Sequence, residues 1–421
     1  MYTKKILKNG LRLITIPQES TQAVTVLVLV GAGSKYERKE ISGLSHFLEH
    51  MFFKGTKKRP NTVAIAETLD KIGGIYNAFT SEEYTGYFAK VDANHLDLAL
   101  DWVSDIFLNS KLDPGEIERE KKVIIEEINM LFDHPIYHIQ ILWRELLYGN
   151  QPAGWNIAGT KETVMAASRQ SLIDYLKSQY VASNTLICIA GKIDGPGTLE
   201  KVKKCFSKIK STKAIKKPKV VEKQTAPGCV LKEKKTDQAH LCLGVRAYNI
   251  FHPLRYAQEI LGIILGGMMS SRLFIEVRER LGLAYYIATE VSADLDTGFL
   301  VTQAGVDNKN IEKAISTILK EYKKISQQNI PIKELKKAKD YIKGKMTLQL
   351  ESSDAKASFY GIQELLENKI LTPKEIYDKI NEVSVKDILK VAKDIFQPQK
   401  LNLALIGPFK DKRNFEKLLK L

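Results

Sequence analysis

The sequence predicts an α+β protein made of two similar α/β-sandwich domains, each a mostly antiparallel sheet with helices packed on it, related by internal duplication. Three observations carry this expectation. A chain of 421 residues exceeds one typical hydrophobic core and suits two domains of roughly 200 residues each. The first half does not alternate strand with helix as a parallel α/β sheet would; it reads hairpin, strand, two helices, two strands, then helices. The halves also echo each other at one offset. Gln22-Ala23 precedes VTVLVLV and Gln238-Ala239 precedes HLCLGV, while TLICIAG ends at Gly191 and LNLALIG at Gly407, so 238 − 22 = 216 and 407 − 191 = 216. A shared offset is what duplication of one unit leaves behind.

Taken in order, MYTKKILKNGLRLITIP alternates apolar and polar residues around Asn9-Gly10, the pattern of a hairpin with a two-residue turn and not of a signal peptide. The apolar run 24–30 has the length of a strand, far below the roughly 20 residues that cross a bilayer. The expectation is a soluble, cytoplasmic protein without a membrane span. A helix begins near Ser42. Another is capped by Asn61 and ended by Gly73-Gly74, and strands follow around 75–79 and 84–91. Asp113-Pro114 with Glu116 opens a long helix, IEREKKVIIEEINML, with a cap, a proline in the first turn and acidic residues where the helix dipole favours them. Residues 211–228, STKAIKKPKVVEKQTAPG, are basic and lack helical period. They read as the linker between an N-terminal domain, 1–210, and a C-terminal domain, 229–421.

Composition narrows the function classes. The chain is 44% hydrophobic and 27% charged with 13 prolines, which is ordinary globular usage and not a disordered one. The net charge is +15, but the lysines are spread over helices and the linker instead of interleaving with aromatics, so nucleic acid is not an expected partner. Cys188, Cys205, Cys229 and Cys242 lie far apart without CxxC spacing and read as reduced thiols.

In GLSHFLEHMFF, His46 and His50 are four residues apart, so on a helix both imidazoles project from one face and can close on a single ion; zinc suits such a pair. Glu49 stands about 100° around the helix from His50, where it can take a proton from an activated water without being a ligand. A lone His-x-x-x-His pair usually just packs. The intervening glutamate and the apolar surround turn this one toward metal, because H-x-x-E-H has a defined mechanism. His134 and His138 share the four-residue spacing, but Pro135 biases His134 away from helix and no acid lies between them, so they read as a turn and a helix start. A third ligand is better sought on the acidic helix. There Glu120 and Glu127 stack on one face and Glu126 points about 100° away; spacing alone does not choose Glu127 over Glu126.

In these residues the chain resembles the pitrilysin and insulin-degrading family, the inverzincins, and especially the half-length branch similar to the β subunit of mitochondrial processing peptidase. HFLEHMFFKGT carries the family's signature, and Glu118-Arg119-Glu120 followed by Val123-Ile124-Ile125 and Glu127 is similar to its second motif. The resemblance implies Glu127 as third ligand, Glu120 as a supporting carboxylate, and one zinc ion per subunit. It implies further that the GGIYNAFTSEEYTGYF stretch supplies an edge strand, with Asn77 and Ala78, that pairs with substrate backbone. In GGMMSSRLFIEVRERLGLAYYI it implies that Arg278 and Tyr285 grip the substrate carbonyl. The expected activity is a zinc endopeptidase acting on peptides or unfolded segments. The expected assembly is a homodimer, or a heterodimer with a related subunit, in which one copy's Arg278 and Tyr285 serve the other's metal site. A noncatalytic structural or assembly subunit of the same fold is the alternative.

Overall fold

The structure is a computed structural model that describes residues 2–421, and the chain divides into two compact units. Unit 1 comprises Met1–Asn129, Trp155–Pro218 and Thr347–Leu371. Its six-stranded sheet contains β1 (Thr3–Ile6), β2 (Arg12–Pro17), β3 (Ala23–Val30), β4 (Ile75–Thr80), β5 (Thr85–Asp92) and β6 (Thr185–Gly191), in the spatial order β1-β2-β6-β3-β5-β4. Neighbours are antiparallel except β2 and β6, which run parallel. The central strands β3 and β6 are buried on both faces. That is why AVTVLVLV and TLICIAG are continuous apolar runs and not alternating ones.

One face of this sheet meets Phe47, Leu48, Trp102, Val103 and Ile106 from the helices Leu44–Met51 and Leu96–Asn109. The other face, with Ile14, Leu27, Leu29, Leu186 and Cys188, is covered by Ala357 and Tyr360 of the helix Ser353–Glu367. Polar contacts fix that helix in register. Thr25 and Ser353 hydroxyls lie 2.8 Å apart, and Lys90 pairs with Asp354 at 2.7 Å. The buried Glu364 carboxylate receives Lys4 at 2.7 Å and Arg12 at 3.5 Å, so its charge is paired as burial requires.

Unit 2 comprises Met130–Gly154, Lys219–Met346 and Thr372–Leu421. Its sheet contains β7 (Gly228–Glu233), β8 (Gln238–Arg246), β9 (Ala284–Ala293), β10 (Gly298–Asp307) and β11 (Leu401–Gly407), in the order β7-β11-β8-β10-β9 with β7 and β11 parallel. This repeats the order β2-β6-β3-β5-β4, with the parallel pair in the same place. The equivalent strands β6 and β11 start 401 − 185 = 216 residues apart, the offset visible in the sequence. The second face of the sheet, with Cys242, Phe299, Val301, Ala404 and Ile406, is covered by Ile139, Trp143 and Leu147 of the helix Pro135–Tyr148.

The units therefore are not the contiguous stretches 1–210 and 229–421. Residues 130–154 belong to unit 2 and residues 347–371 to unit 1. The exchanged helices hold equivalent places in the repeat, since 353 − 135 = 218. A sheet with two apolar faces needs cover on both, and a helix's own periodicity does not say whose sheet it covers. Within the expected linker, the chain passes from unit 1 to unit 2 between Pro218 and Lys219.

A second difference is local. The N-terminal hairpin closes through Lys8, Asn9 and Gly10, with Leu7 N–H donating to Leu11 C=O at 2.8 Å and Gly10 at φ +89°. Asn-Gly here occupies the end of a three-residue loop whose last position needs positive φ, in place of a two-residue turn. All four cysteines are free. Among the described residues no helix is long and apolar enough to cross a membrane.

Candidate metal centre

The helix Leu44–Met51 in unit 1 buries Leu44, Phe47, Leu48 and Met51 and thereby turns His46, Glu49 and His50 to another face. Its entry is fixed from outside the helix. Gly43 adopts φ +94°, and the buried Glu37 accepts from Gly43 N–H at 2.7 Å and from Ser45 N–H at 2.6 Å. These are amides at the helix start that have no partner within the helix. Burial pushes the Glu37 carboxyl up to about 7, against the hydrogen bonds from Ser45 and Gly43.

His46 Nε2 and His50 Nε2 lie 3.2 Å apart. Glu127 Oε2, on the helix Pro114–Asp133, is 3.5 Å from the first and 3.6 Å from the second. Zinc bonded tetrahedrally at about 2.0–2.1 Å sets its ligand atoms roughly 3.3–3.4 Å apart, so the triangle has the size the ion requires. Among the described residues, His46, His50 and Glu127 are the group of three that could hold a metal. His46 is 9% exposed, whereas the Glu127 side chain is 35% exposed, leaving the triangle accessible from one side. Contact with His46 holds the Glu127 carboxyl below the usual carboxylate range, with burial opposing.

Glu120 is 3% exposed and has both oxygens engaged. Oε1 accepts from His50 Nδ1 at 2.9 Å and Oε2 from Lys54 Nζ at 2.6 Å. Burial raises its pKa, but the bonds to His50 and Lys54 and their charges outweigh that and hold it low. A carboxylate at Nδ1 keeps the imidazole proton there and leaves the Nε2 lone pair facing the triangle. His46 Nδ1 is buried without a partner. Glu49 Oε2 accepts a short hydrogen bond from the Thr80 hydroxyl.

Asn77 and Ala78 lie on β4, the strand at one edge of the unit 1 sheet. Ala78 N–H is occupied by the Asn77 side-chain oxygen at 2.9 Å. Arg278 and Tyr285 belong to unit 2. Arg278 sits on the π-helical turn Phe274–Arg280, its guanidinium 4.8 Å from the Phe274 ring centre and 5.9 Å from that of Tyr285. Tyr285 opens into solvent at 76% exposure. Of the other histidine pair, His134 is the N-cap of the helix Pro135–Tyr148 and His138 is buried in unit 2.

Three contributors escaped sequence reasoning. Lys54 lies beyond the end of the helix Leu44–Met51 and meets Glu120 across 120 − 54 = 66 residues, so no local spacing flags it. Glu37 is an acid shortly before a helix, a weak signal. Thr80 had none, because its contact with Glu49 spans 31 residues.

Two sandwiches of repeated topology, one bearing two histidines and a carboxylate set for zinc, define a metallopeptidase-type architecture. Comparison with known proteins fixes the family: residues 12–161 match Insulinase (Peptidase family M16) and residues 166–342 match the Peptidase M16 inactive domain. An uncharacterized zinc protease of Bacillus subtilis is 38% identical over 406 residues, covering 95% of this chain and 97% of its own. The chain belongs to the M16 insulinase family. Its fold is also that of a protease from Helicobacter pylori, with a TM-score of 0.89 and 24% identity over 97% of this chain and 99% of that one. A chain of Candida albicans complex III2 gives a TM-score of 0.83 at 18% identity, with full coverage of both.

Proposed function

We propose that this chain is a zinc-dependent endopeptidase that hydrolyses peptides or unfolded segments, one zinc ion per subunit, with Glu49 as general base. The observation that carries the reading is the triangle of His46 Nε2, His50 Nε2 and Glu127 Oε2, with edges of 3.2, 3.5 and 3.6 Å, whose two histidines share the helix Leu44–Met51 with Glu49. Zinc held there supplies Lewis-acid polarisation and lowers the pKa of water toward about 7.

The chain's own residues do the rest. Glu49 takes the proton of the attacking water and returns it to the leaving amine. Glu120 orients His50 and stays charged beside Lys54. The edge strand β4 receives the substrate as an added strand, which must displace the Asn77 amide from Ala78 N–H. Arg278 and Tyr285 donate to the substrate carbonyl and stabilise the oxyanion, in a homodimer where one copy's pair serves another copy's metal centre. A related subunit in place of the second copy would serve the same chemistry. The proposed location is the cytoplasm.

A second reading, a noncatalytic assembly subunit, draws on the inactive-domain match of residues 166–342 and on the fold shared with a complex III2 chain. It gives no reason for two histidines, an aligned base and a supporting carboxylate to converge. The test is cleavage of a mixed set of unstructured peptides, read by mass spectrometry, for zinc-loaded wild type, zinc-stripped protein and Glu49→Gln. The expected result is defined fragments from wild type and a loss of roughly 10²–10⁴-fold in Glu49→Gln with metal retained. No cleavage by zinc-loaded wild type would favour the assembly reading or a required related subunit that the assay lacks.

A further inference from the structure

Resting on that peptidase reading, we propose that Thr80 is a positioning residue for Glu49, so that the strand receiving the substrate also aims the base. A glutamate on a helix surface has three rotatable bonds, and a general base must hold one direction when the water's proton leaves. The Thr80 hydroxyl occupies Glu49 Oε2, and the other carboxylate oxygen is left for the water.

Thr80 is itself held firmly. Its β-branched side chain has few rotamers, and it ends β4 opposite Thr85 of β5. The turn that follows is tied to itself and to the protein interior. Ser81 N–H donates to Tyr84 C=O at 2.8 Å and the Ser81 hydroxyl to the same oxygen at 2.9 Å. Lys35 N–H donates to Glu82 C=O at 2.9 Å, and the buried Lys35 and Glu83 side chains pair at 3.2 Å. Thr85 Oγ1 donates to Ala32 C=O at 2.8 Å. The donor that faces Glu49 thus stands on a clamped turn, while Asn77 and Ala78, three and two residues back on the same strand, are the proposed substrate contacts. One short strand sets both the height of the peptide and the direction of the base.

The test uses zinc-loaded wild type, Thr80→Val, Thr80→Ser, Glu49→Gln and the double variant Glu49→Gln/Thr80→Val. Zinc content and melting temperature are measured beside kcat and KM, and binding of an uncleaved peptide to the two Glu49→Gln proteins is followed by fluorescence anisotropy. Valine keeps the shape and removes the donor. Loss of a hydrogen bond to a charged group corresponds to roughly 10- to 100-fold, expected in kcat for Thr80→Val, with KM, zinc content and melting unchanged. Thr80→Ser restores kcat to within about threefold, since the hydroxyl returns. In the Glu49→Gln background Thr80→Val brings no further loss of rate and no change in peptide affinity, because a group acting through the carboxylate has nothing left to act on.

Wild-type kcat in Thr80→Val would overturn the inference. So would a kcat loss repeated in full on the Glu49→Gln background, or one that serine does not rescue, since either marks a general disturbance of β4. If Thr80→Val melts early, Thr80→Ser against Thr80→Ala decides by the same comparison. In each case the wild type still cleaves and the peptidase reading stands. A zinc-loaded wild type without any cleavage overturns that reading, and the role of Thr80 with it.

Discussion

Replacing Glu120 by glutamine tests the division of labour among the carboxylates. Wild-type Glu120 accepts from His50 Nδ1 at 2.9 Å and from Lys54 Nζ at 2.6 Å while 3% exposed. Glutamine keeps the volume but has one acceptor oxygen and no charge, and its NH2 must face one of two donors. About one charge-assisted hydrogen bond is lost, roughly 1.5–3 kcal/mol. At about 1.4 kcal/mol per decade this is a 10- to 100-fold fall in zinc affinity, the size usual for the partner of a ligating histidine. Competition against a fluorescent chelator near neutral pH measures it, with circular dichroism confirming the fold. Glu127→Gln, which removes a member of the triangle itself, should lose at least about tenfold more than Glu120→Gln. Zinc affinity of Glu120→Gln within about threefold of wild type would refute the orienting role. A larger loss in Glu120→Gln than in Glu127→Gln would reverse the two assignments.

Two further outcomes follow from the entry of the metal helix. The Glu37 carboxyl titrates near 7 in the folded chain against an ordinary value of 4.5; because the folded value is raised, the stability it contributes is full below about pH 4.5 and is lost as pH rises through 7. The difference, 7 − 4.5 = 2.5, is worth about 3 kcal/mol at most, so thermal melting of metal-free protein should fall across pH 5–8 less steeply in Glu37→Gln than in wild type, and parallel curves would exclude the effect. Gly43→Ala forces a side chain onto φ +94° with its Cβ 2.6 Å from the Ala158 carbonyl oxygen. A cost of about 2 kcal/mol or more is expected, seen as a drop of roughly 5 °C in melting temperature with weaker zinc binding, and an unchanged melting point would show that the helix entry tolerates a side chain.

Much of the site's first line was legible because its partners are near in sequence or lie on one helix. The four-residue spacing of His46 and His50 is a helical neighbour relation, and Glu120 and Glu127 share a face of Pro114–Asp133 for the same reason. The repeat was legible because the central strands keep their apolar runs at a fixed offset. What stayed hidden depends on contacts between distant segments. Nothing in GGIYNAFTSEE says that the hydroxyl of Thr80 reaches Glu49, and nothing near Glu37 says that it receives the amides of Gly43 and Ser45.

The sequence by itself determined the α+β class, the duplicated unit, the family motifs and the helix that carries His46, Glu49 and His50, because local period and spacing write those features directly into the chain. Spacing left the carboxylates open and the family resemblance implied Glu127 as ligand and Glu120 as support; only the tertiary structure shows Glu127 Oε2 3.5 Å from His46 Nε2 and Glu120 Oε1 2.9 Å from His50 Nδ1. It alone assigned Pro135–Tyr148 to the second sheet and Ser353–Glu367 to the first. The physical reason is the same in both cases: an amphipathic helix fixes which of its faces must be buried or engaged, but the surface that meets that face comes from elsewhere in the chain, and its identity is set by packing that no single segment encodes.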